Sequence, residues 1–203
     1  MPARHMLDDA EKKGLLKPGA TIIESSSGTF ALGLAIECAE RGYKPIIVGD
    51  NAIDDGLKNR LLDLGAQVDI VEHTTEEGGI QQARLNRLSS YLEDNKEAFW
   101  PKQYENPCNH QSYYMAAERV GEAIGAVDFL VATVGSGGSS QGMARALQTL
   151  NPDLKLIGVD SLKSVIFGRQ DGKRLLRGLG SSILPQNVAY ELFDQIHWLD
   201  CAE

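Results

Sequence analysis

The sequence predicts an α/β protein with open, mostly parallel sheets flanked by helices. Through roughly the first hundred residues, short apolar runs alternate with stretches of helical spacing, the pattern of parallel strands joined by helices. Later, the apolar run Phe129–Val134 stops at Gly135-Ser136-Gly137-Gly138-Ser139. A helical pattern follows, with Met143, Ala144, Ala146 and Leu147 on one face. Strand, glycine-rich turn and helix in that order form a place to hold an anion. The glycines let backbone come close, free N–H groups point outward, and the helix start adds partial positive charge.

Each element has its own local reason. Met1 to Lys13 reads as a helix with Met6, Leu7 and Ala10 on one face, ended by Gly14 and the Pro18-Gly19 turn. Thr21–Glu24 is a short buried strand, followed by the hydroxyl-rich Ser25-Ser26-Ser27-Gly28-Thr29. Phe30 to Arg41 has helical spacing through Leu32, Ala35 and Ile36 and stops at Gly42. Pro45–Val48 is a second strand, Ile53–Leu64 a second helix stopped by Gly65, and Val68–Val71 a third strand. A longer helical pattern runs between Ile80 and Glu93. Near Trp100 the alternation breaks, and Gln103-Tyr104-Glu105-Asn106-Pro107 reads as an irregular connection. The expected domains are therefore residues 1–106 and 107–203. His110–Ile124 is expected as one helix ended by Gly125. Leu156–Asp160 and Ile196–Leu199 are expected strands after the glycine loop, with a glycine-serine turn at Arg177–Ser182 between them.

Composition narrows the function classes. At 203 residues and 42% hydrophobic content the chain can bury a sizeable core. A net charge of -8 argues against nucleic acid, whose phosphates need a basic face. No apolar run approaches the length that spans a membrane, and the charged start MPARHMLDDAEKKG does not resemble a signal peptide. Cys38, Cys108 and Cys201 lie far apart without a C-x-x-C pair, which fits a reducing compartment. A cytoplasmic protein is expected.

Two loops carry the candidate chemistry. The Gly135–Ser139 loop lacks the Lys of a nucleotide P-loop, and Ser140 stands where a dinucleotide fingerprint needs its last Gly or Ala. Asp160, at the end of the next strand, would serve that second motif as a ribose ligand, so a dinucleotide reading stays open. The Ser25–Thr29 loop also links a strand to a helix, and its bland reading is an N-cap with spare serines. Two such loops at the same edge of one molecule favour a binding cleft between them, rich in N–H and O–H donors. Such a cleft suits a ligand with phosphate at one end and carboxylate at the other. Gln103 offers an amide donor. His5, His73, His110 and His197 show no ligand spacing, and Ser27 has no G-x-S-x-G elbow.

Taken together, these segments resemble the fold-type II pyridoxal phosphate (PLP) enzymes, in particular the cysteine synthase and cystathionine β-synthase group. The resemblance begins with the opening helix Pro2–Gly14 and the turn Pro18-Gly19-Ala20-Thr21. It continues through Glu24-Ser25-Ser26-Ser27-Gly28-Thr29-Phe30, where the family has Thr-Ser-Gly-Asn-Thr, and Gln103–Pro107, where it has Gln-Phe-x-Asn-Pro. Gly135–Ser139 stands at the family's Gly-Thr-Gly-Gly-Thr. Arg177-Gly178-Leu179-Gly180, with Pro185 and Asn187, resembles its Gly-Ile-Gly segment.

The resemblance implies a two-domain architecture, incomplete here. Its smaller domain carries the substrate loop and its partial larger domain the phosphate loop. Gly135, Ser136, Gly137, Gly138 and Ser139 are implied to hold the phosphate of pyridoxal 5'-phosphate. Thr29 would stand where the family's Asn meets the ring hydroxyl, and Gly178 and Gly180 would line the ring. Ser26, Ser27, Gly28, Phe30 and Gln103 are implied to bind the carboxylate of a small amino-acid substrate. The implied reaction is β-replacement or β-elimination on an activated serine. No catalytic residue is assigned, because the family's Schiff-base Lys lies in a Ser-x-Lys-Asp-Arg segment ahead of the opening helix. Lys12, Lys13 and Lys17 do not match that segment. The chain is therefore expected to be a fragment that is inactive alone. The complete protein is expected to be a homodimer with no nucleic-acid or membrane partner. A non-catalytic PLP- or phosphate-binding relative is the alternative.

Overall fold

A computed structural model describes residues 1–76, 78–174 and 178–200. Among the sequence features above, Arg177 and Cys201 lie outside the described residues. The chain divides into two compact units, Met1–Gln103 and Tyr104–Glu203.

The first unit is a three-stranded parallel sheet in the order β1-β2-β3, formed by Thr21–Ser25, Lys44–Asp50 and Gln67–Val71. Its connections are α2 (Thr29–Arg41) and α3 (Asp55–Asp63), preceded by α1 (Pro2–Lys12) and followed by α4 (Gly79–Asp94). Because side chains alternate along a strand, Ile22 and Ile47 enter one core with Leu7, Leu34, Ala35 and Leu61. Ile23, Val48 and Val71 enter a second core with Leu88. Both faces of the sheet are thus covered, as an all-parallel sheet requires. The Asp54 side chain caps α3 by accepting the Leu57 N–H at 2.7 Å, so Ile53 lies outside the helix that spacing alone assigns it to.

After α4 the chain returns beside β1. Phe99 N–H donates to the Thr21 carbonyl and Ile23 N–H to the Phe99 carbonyl, each at 2.9 Å. This one-residue extension of the sheet carries Trp100 and Gln103 to the C-terminal end of β1, where the serine loop begins.

The second unit is again a parallel sheet, in the order β4-β5-β6, from Phe129–Thr133, Lys155–Ser161 and Phe193–Leu199. Its helices are a short α5 (Cys108–Gln111), α6 (Tyr114–Ile124) and α7 (Gly138–Leu147). The single helix expected over His110–Ile124 is in fact two. Ser112 Oγ donates to the Asn109 carbonyl at 2.7 Å, and Tyr113 N–H takes the i−3 carbonyl of His110, so the backbone turns there. The last strand starts at Phe193, earlier than its apolar pattern suggests. Asp194 Oδ2 accepts the Leu156 N–H at 2.9 Å and absorbs a register shift at Leu156/Ile157.

One face of this sheet packs through Leu130 against Ala117, Leu147 and Leu154. On the other face Phe129 and Val131 are 65% and 63% exposed. No helix among the described residues is long and apolar enough to cross a membrane.

Candidate functional site

In the first unit the site grows from a buried acid at the end of an apolar strand. Glu24 is fully buried. Its Oε1 accepts the Ser25 N–H at 2.8 Å and the Trp100 Nε1–H at 3.1 Å, and its Oε2 accepts the Gln103 N–H at 3.1 Å. Burial pushes the carboxyl up to about 7, against the opposing pull of these donors and of Arg84. Gln103, itself buried, donates from Nε2 to the Ser25 carbonyl at 2.6 Å. The chain reaches this geometry through Lys102 at φ 59°, a left-handed backbone unusual for a residue with a side chain. Ser26–Phe30 and Gln103, predicted as one binding element, are therefore brought together by Glu24 and by the carbonyl of Ser25.

Within the loop the hydroxyls differ. Ser26 Oγ accepts a long 3.5 Å bond from the Gly28 N–H. Ser27 Oγ accepts from the Asp50 N–H at 3.1 Å and from Arg84 Nη1 at 2.5 Å. Thr29 is exposed, Phe30 is half-buried, and Gly28 is the N-cap of α2, where no side chain caps the helix. The first-turn N–H groups of α2 and the loop hydroxyls together form a donor-rich surface. Glu24, Asp50, Arg84 and Trp100 were missed by the reading of motifs. A charged residue closing the apolar run Thr21–Ile23 was the available signal for Glu24; Arg84, on an amphipathic helix, offered none.

In the second unit Gly135–Ser139 forms the turn between β4 and α7. Gly137 is the N-cap of α7 at φ 85°, and no side chain caps the helix. The glycines are needed by their neighbours. A Cβ at Gly137 would collide with the Asn187 carbonyl, one at Gly138 with the Asn109 amide, and one at Gly135 would lie 3.1 Å from the Gly178 carbonyl. Asn109 Nδ2 donates to Ser136 Oγ at 3.2 Å; Ser139 is exposed. The segment carrying Gly178 and Gly180 runs against this turn, with Gly180 N–H on the Val134 carbonyl at 2.8 Å and both glycines in the left-handed region. Asn187 ties Tyr104 and Asn106 to the same place. Its N–H donates to the Tyr104 carbonyl and its Nδ2 to the Asn106 carbonyl, both at 3.1 Å.

This donor set fits a phosphate: an uncapped helix start, two serine hydroxyls, and glycines leaving no side chain over the backbone. The ribose-binding role considered for Asp160 does not survive. Its side chain is fully buried, Oδ1 accepts the Ser161 N–H at 2.7 Å, and a Cβ at Gly180 would lie 3.2 Å from it. Burial raises its carboxyl, as expected for an acid packed inside the unit. Burial and Arg145 lower His110, which lies beside Tyr114 Oη at 3.4 Å.

Comparison with known proteins extends over nearly the same span. The family model for pyridoxal-phosphate dependent enzymes matches residues 1–198. The N-(2-amino-2-carboxyethyl)-L-glutamate synthase of Cupriavidus metallidurans is 32% identical over 201 residues, which cover 98% of this chain and 59% of that protein. Its counterpart in Ralstonia nicotianae is also 32% identical, with 98% and 60% covered. The crystal structure of a hydrogen sulfide-producing enzyme from Fusobacterium nucleatum superposes with a TM-score of 0.89 at 28% identity, covering 98% of this chain and 67% of that one. An O-acetylserine dependent cystathionine β-synthase from Helicobacter pylori superposes with a TM-score of 0.90 at 26% identity, covering 99% and 65%. The chain spans about 60% of the length of the curated relatives it matches. The chain therefore belongs to the pyridoxal-phosphate dependent enzyme family, in its fold-type II branch with the cysteine synthase and cystathionine β-synthase-like proteins.

Proposed function

We propose that this chain binds pyridoxal 5'-phosphate on Gly135–Ser139 and an amino-acid carboxylate on Ser26–Phe30 with Gln103. In the whole protein it would serve β-replacement or β-elimination on an activated serine. The observation that carries this reading is the glycine turn at the uncapped start of α7, where substituting Gly137 or Gly138 would drive a side chain into Asn187 or Asn109. The N–H groups of that turn and the Ser136 and Ser139 hydroxyls would hold the phosphate dianion. Gly178 and Gly180, with no side chains, would leave open backbone beside the ring. When bound, PLP supplies an electron sink for charge developing at the substrate Cα.

On the substrate side, Ser27, Ser26 and the first-turn N–H groups of α2 would orient the carboxylate. That contact would hold the amino acid by its carboxylate. The O-acetylserine named for the Helicobacter protein is an activated serine of the required kind. The 2-amino-2-carboxyethyl group in the name of the Cupriavidus enzyme's product has the same three-carbon skeleton, joined to nitrogen rather than sulfur. Both support a serine-type donor and leave sulfur and amine nucleophiles as candidates.

The base that moves the Cα proton is, by resemblance, a lysine ahead of α1. Lys13 pairs with Asp9 at 2.7 Å and Lys17 with Glu97 at 3.5 Å on the surface, so neither is offered as a substitute. This chain alone is accordingly proposed to bind without turnover. The whole protein is proposed to be a cytoplasmic homodimer acting on a small amino acid.

Titrating the chain with PLP and following absorbance tests the assignment. Saturable binding is expected, lost in Gly137→Asp, with no product from O-acetylserine and sulfide. Borohydride treatment should leave the intact mass unchanged. Failure of the chain to bind PLP would sink the cofactor assignment. A mass increase mapping to one of its lysines would sink the account of the missing base.

A further inference from the structure

Ser27 makes two hydrogen bonds that it can only accept. The Asp50 N–H reaches its Oγ at 3.1 Å and Arg84 Nη1 reaches it at 2.5 Å, and neither donor can accept in return. A hydroxyl oxygen has two lone pairs, so both are taken and its single O–H can only donate. Arg84 is fixed in this role by Asp50, whose Oδ2 lies 3.0 Å from Nη1 while Oδ1 accepts the Ala52 N–H at 2.8 Å. The two charged side chains are 5% and 9% exposed. A buried ion pair contributes little net stability over an apolar pair of similar volume, because desolvation offsets its attraction. Its distinctive effect here is on the hydroxyl it touches.

We infer that Asp50 and Arg84 are positioning residues that make Ser27 an obligate donor, and that the loop thereby selects an ionised carboxylate over a group that itself donates, such as a carboxamide. The inference rests on the proposed role of Ser26–Phe30 as the carboxylate site. A carboxylate oxygen accepts the Ser27 O–H. A carboxamide turned nitrogen-inward would oppose donor to donor, since Ser27 has no lone pair left to accept from it. Without the pair, the hydroxyl could turn and accept, and the discrimination would fall. The selectivity lies in the substrate-binding step and requires no group on the cofactor.

The test is calorimetric binding of L-serine and L-serinamide to the PLP-supplemented chain, below the amine pKa, as wild type, Ser27→Ala and the double variant Asp50→Asn with Arg84→Met. The double variant removes both buried charges together, so neither is left unpaired. Wild type should prefer serine by about tenfold or more, the value of a hydrogen bond to a charged group. Either variant should reduce the preference to within about threefold. In the Ser27→Ala background, adding the double change should have no further effect on the ratio. Loss of packing alone would weaken both ligands equally and leave the ratio unchanged, which refutes the inference. So does Ser27→Ala retaining the preference, an outcome that can be read even where the double variant does not fold. If wild type binds neither ligand, the carboxylate reading of the loop falls and this inference with it. If it binds serine with a preference that no variant alters, only this inference falls.

Discussion

Gln103 Nε2 lies 2.6 Å from the Ser25 carbonyl, 78 residues earlier in the chain. With the Glu24 carboxylate on the Gln103 N–H at 3.1 Å, this joins two segments that share no local contact in sequence. The bond orients the side chain as well as the backbone, because an N–H of the amide is committed to the Ser25 carbonyl. The serine loop and Gln103 are thus joined through the buried Glu24 and the Ser25 carbonyl.

That acid makes stability depend on pH. The carboxyl of Glu24 is raised from 4.5 to about 7 in the fold. Between those values the folded chain holds a proton that the unfolded chain has released. Stability from this group is therefore greatest below the unfolded pKa and declines as pH rises through about 7, by roughly 3 kcal/mol in all. Urea midpoints taken across this range should fall with rising pH in the wild type and change less steeply in Glu24→Gln. Equal slopes in the two proteins would refute the assignment. In Trp198→Phe, the emission of Trp100 should titrate with the same midpoint, since its Nε1 donates to Glu24.

Glycines at the phosphate turn should be hard to replace. At Gly137 an added Cβ meets a backbone carbonyl and the left-handed φ of 85° is unfavourable for alanine. At Gly138 it meets the Asn109 side chain and breaks its bond to Ser136. Gly138→Ala is expected to cost about 1–3 kcal/mol and Gly137→Ala at least as much, lowering the melting temperature by several degrees. Thermal unfolding checks this, and PLP titration of the same proteins should show weakened binding. Wild-type melting of both variants would remove the packing argument.

The buried cysteines should be inert. Cys38 is fully buried, and burial pushes its thiol up to about 12, with Glu37 adding to the shift and Arg41 opposing it. In native protein at mildly alkaline pH its alkylation, followed peptide by peptide, should be at least about a hundredfold slower than in denaturant. Comparable rates would mean the α2 face opens readily. Cys108 is also buried, and slow modification is expected there too.

Exposed apolar surface on the second sheet should drive association. Phe129 and Val131 lie on the same face of β4, and a parallel sheet ordinarily has both faces covered. The 203-residue chain should therefore bind a hydrophobic dye and self-associate. Phe129→Ser with Val131→Thr should lower both signals, measured by dye fluorescence and sedimentation. Unchanged association in that variant would place the sticky surface elsewhere.

The alternating architecture, the strands that lead into both loops, and the glycine turn are legible in local residue patterns. These follow from local causes: side-chain period, helix stops at Gly42 and Gly65, and a glycine cluster at the end of an apolar run. The motifs also carried the family resemblance, because short loops between regular elements keep their order along the chain. Tertiary structure alone decided which polar groups those loops meet. Glu24, Arg84 and Gln103 converge near Ser25 and Ser27 only after β1, β2, α4 and the Phe99 segment pack side by side. Likewise, Gly138 needs to be glycine because Asn109 lies against it, and Asp160 is barred from ligand contact because the chain near Gly180 covers it. Periodicity places a residue on a face. Whether its hydroxyl accepts or donates is set by neighbours that come from distant parts of the chain.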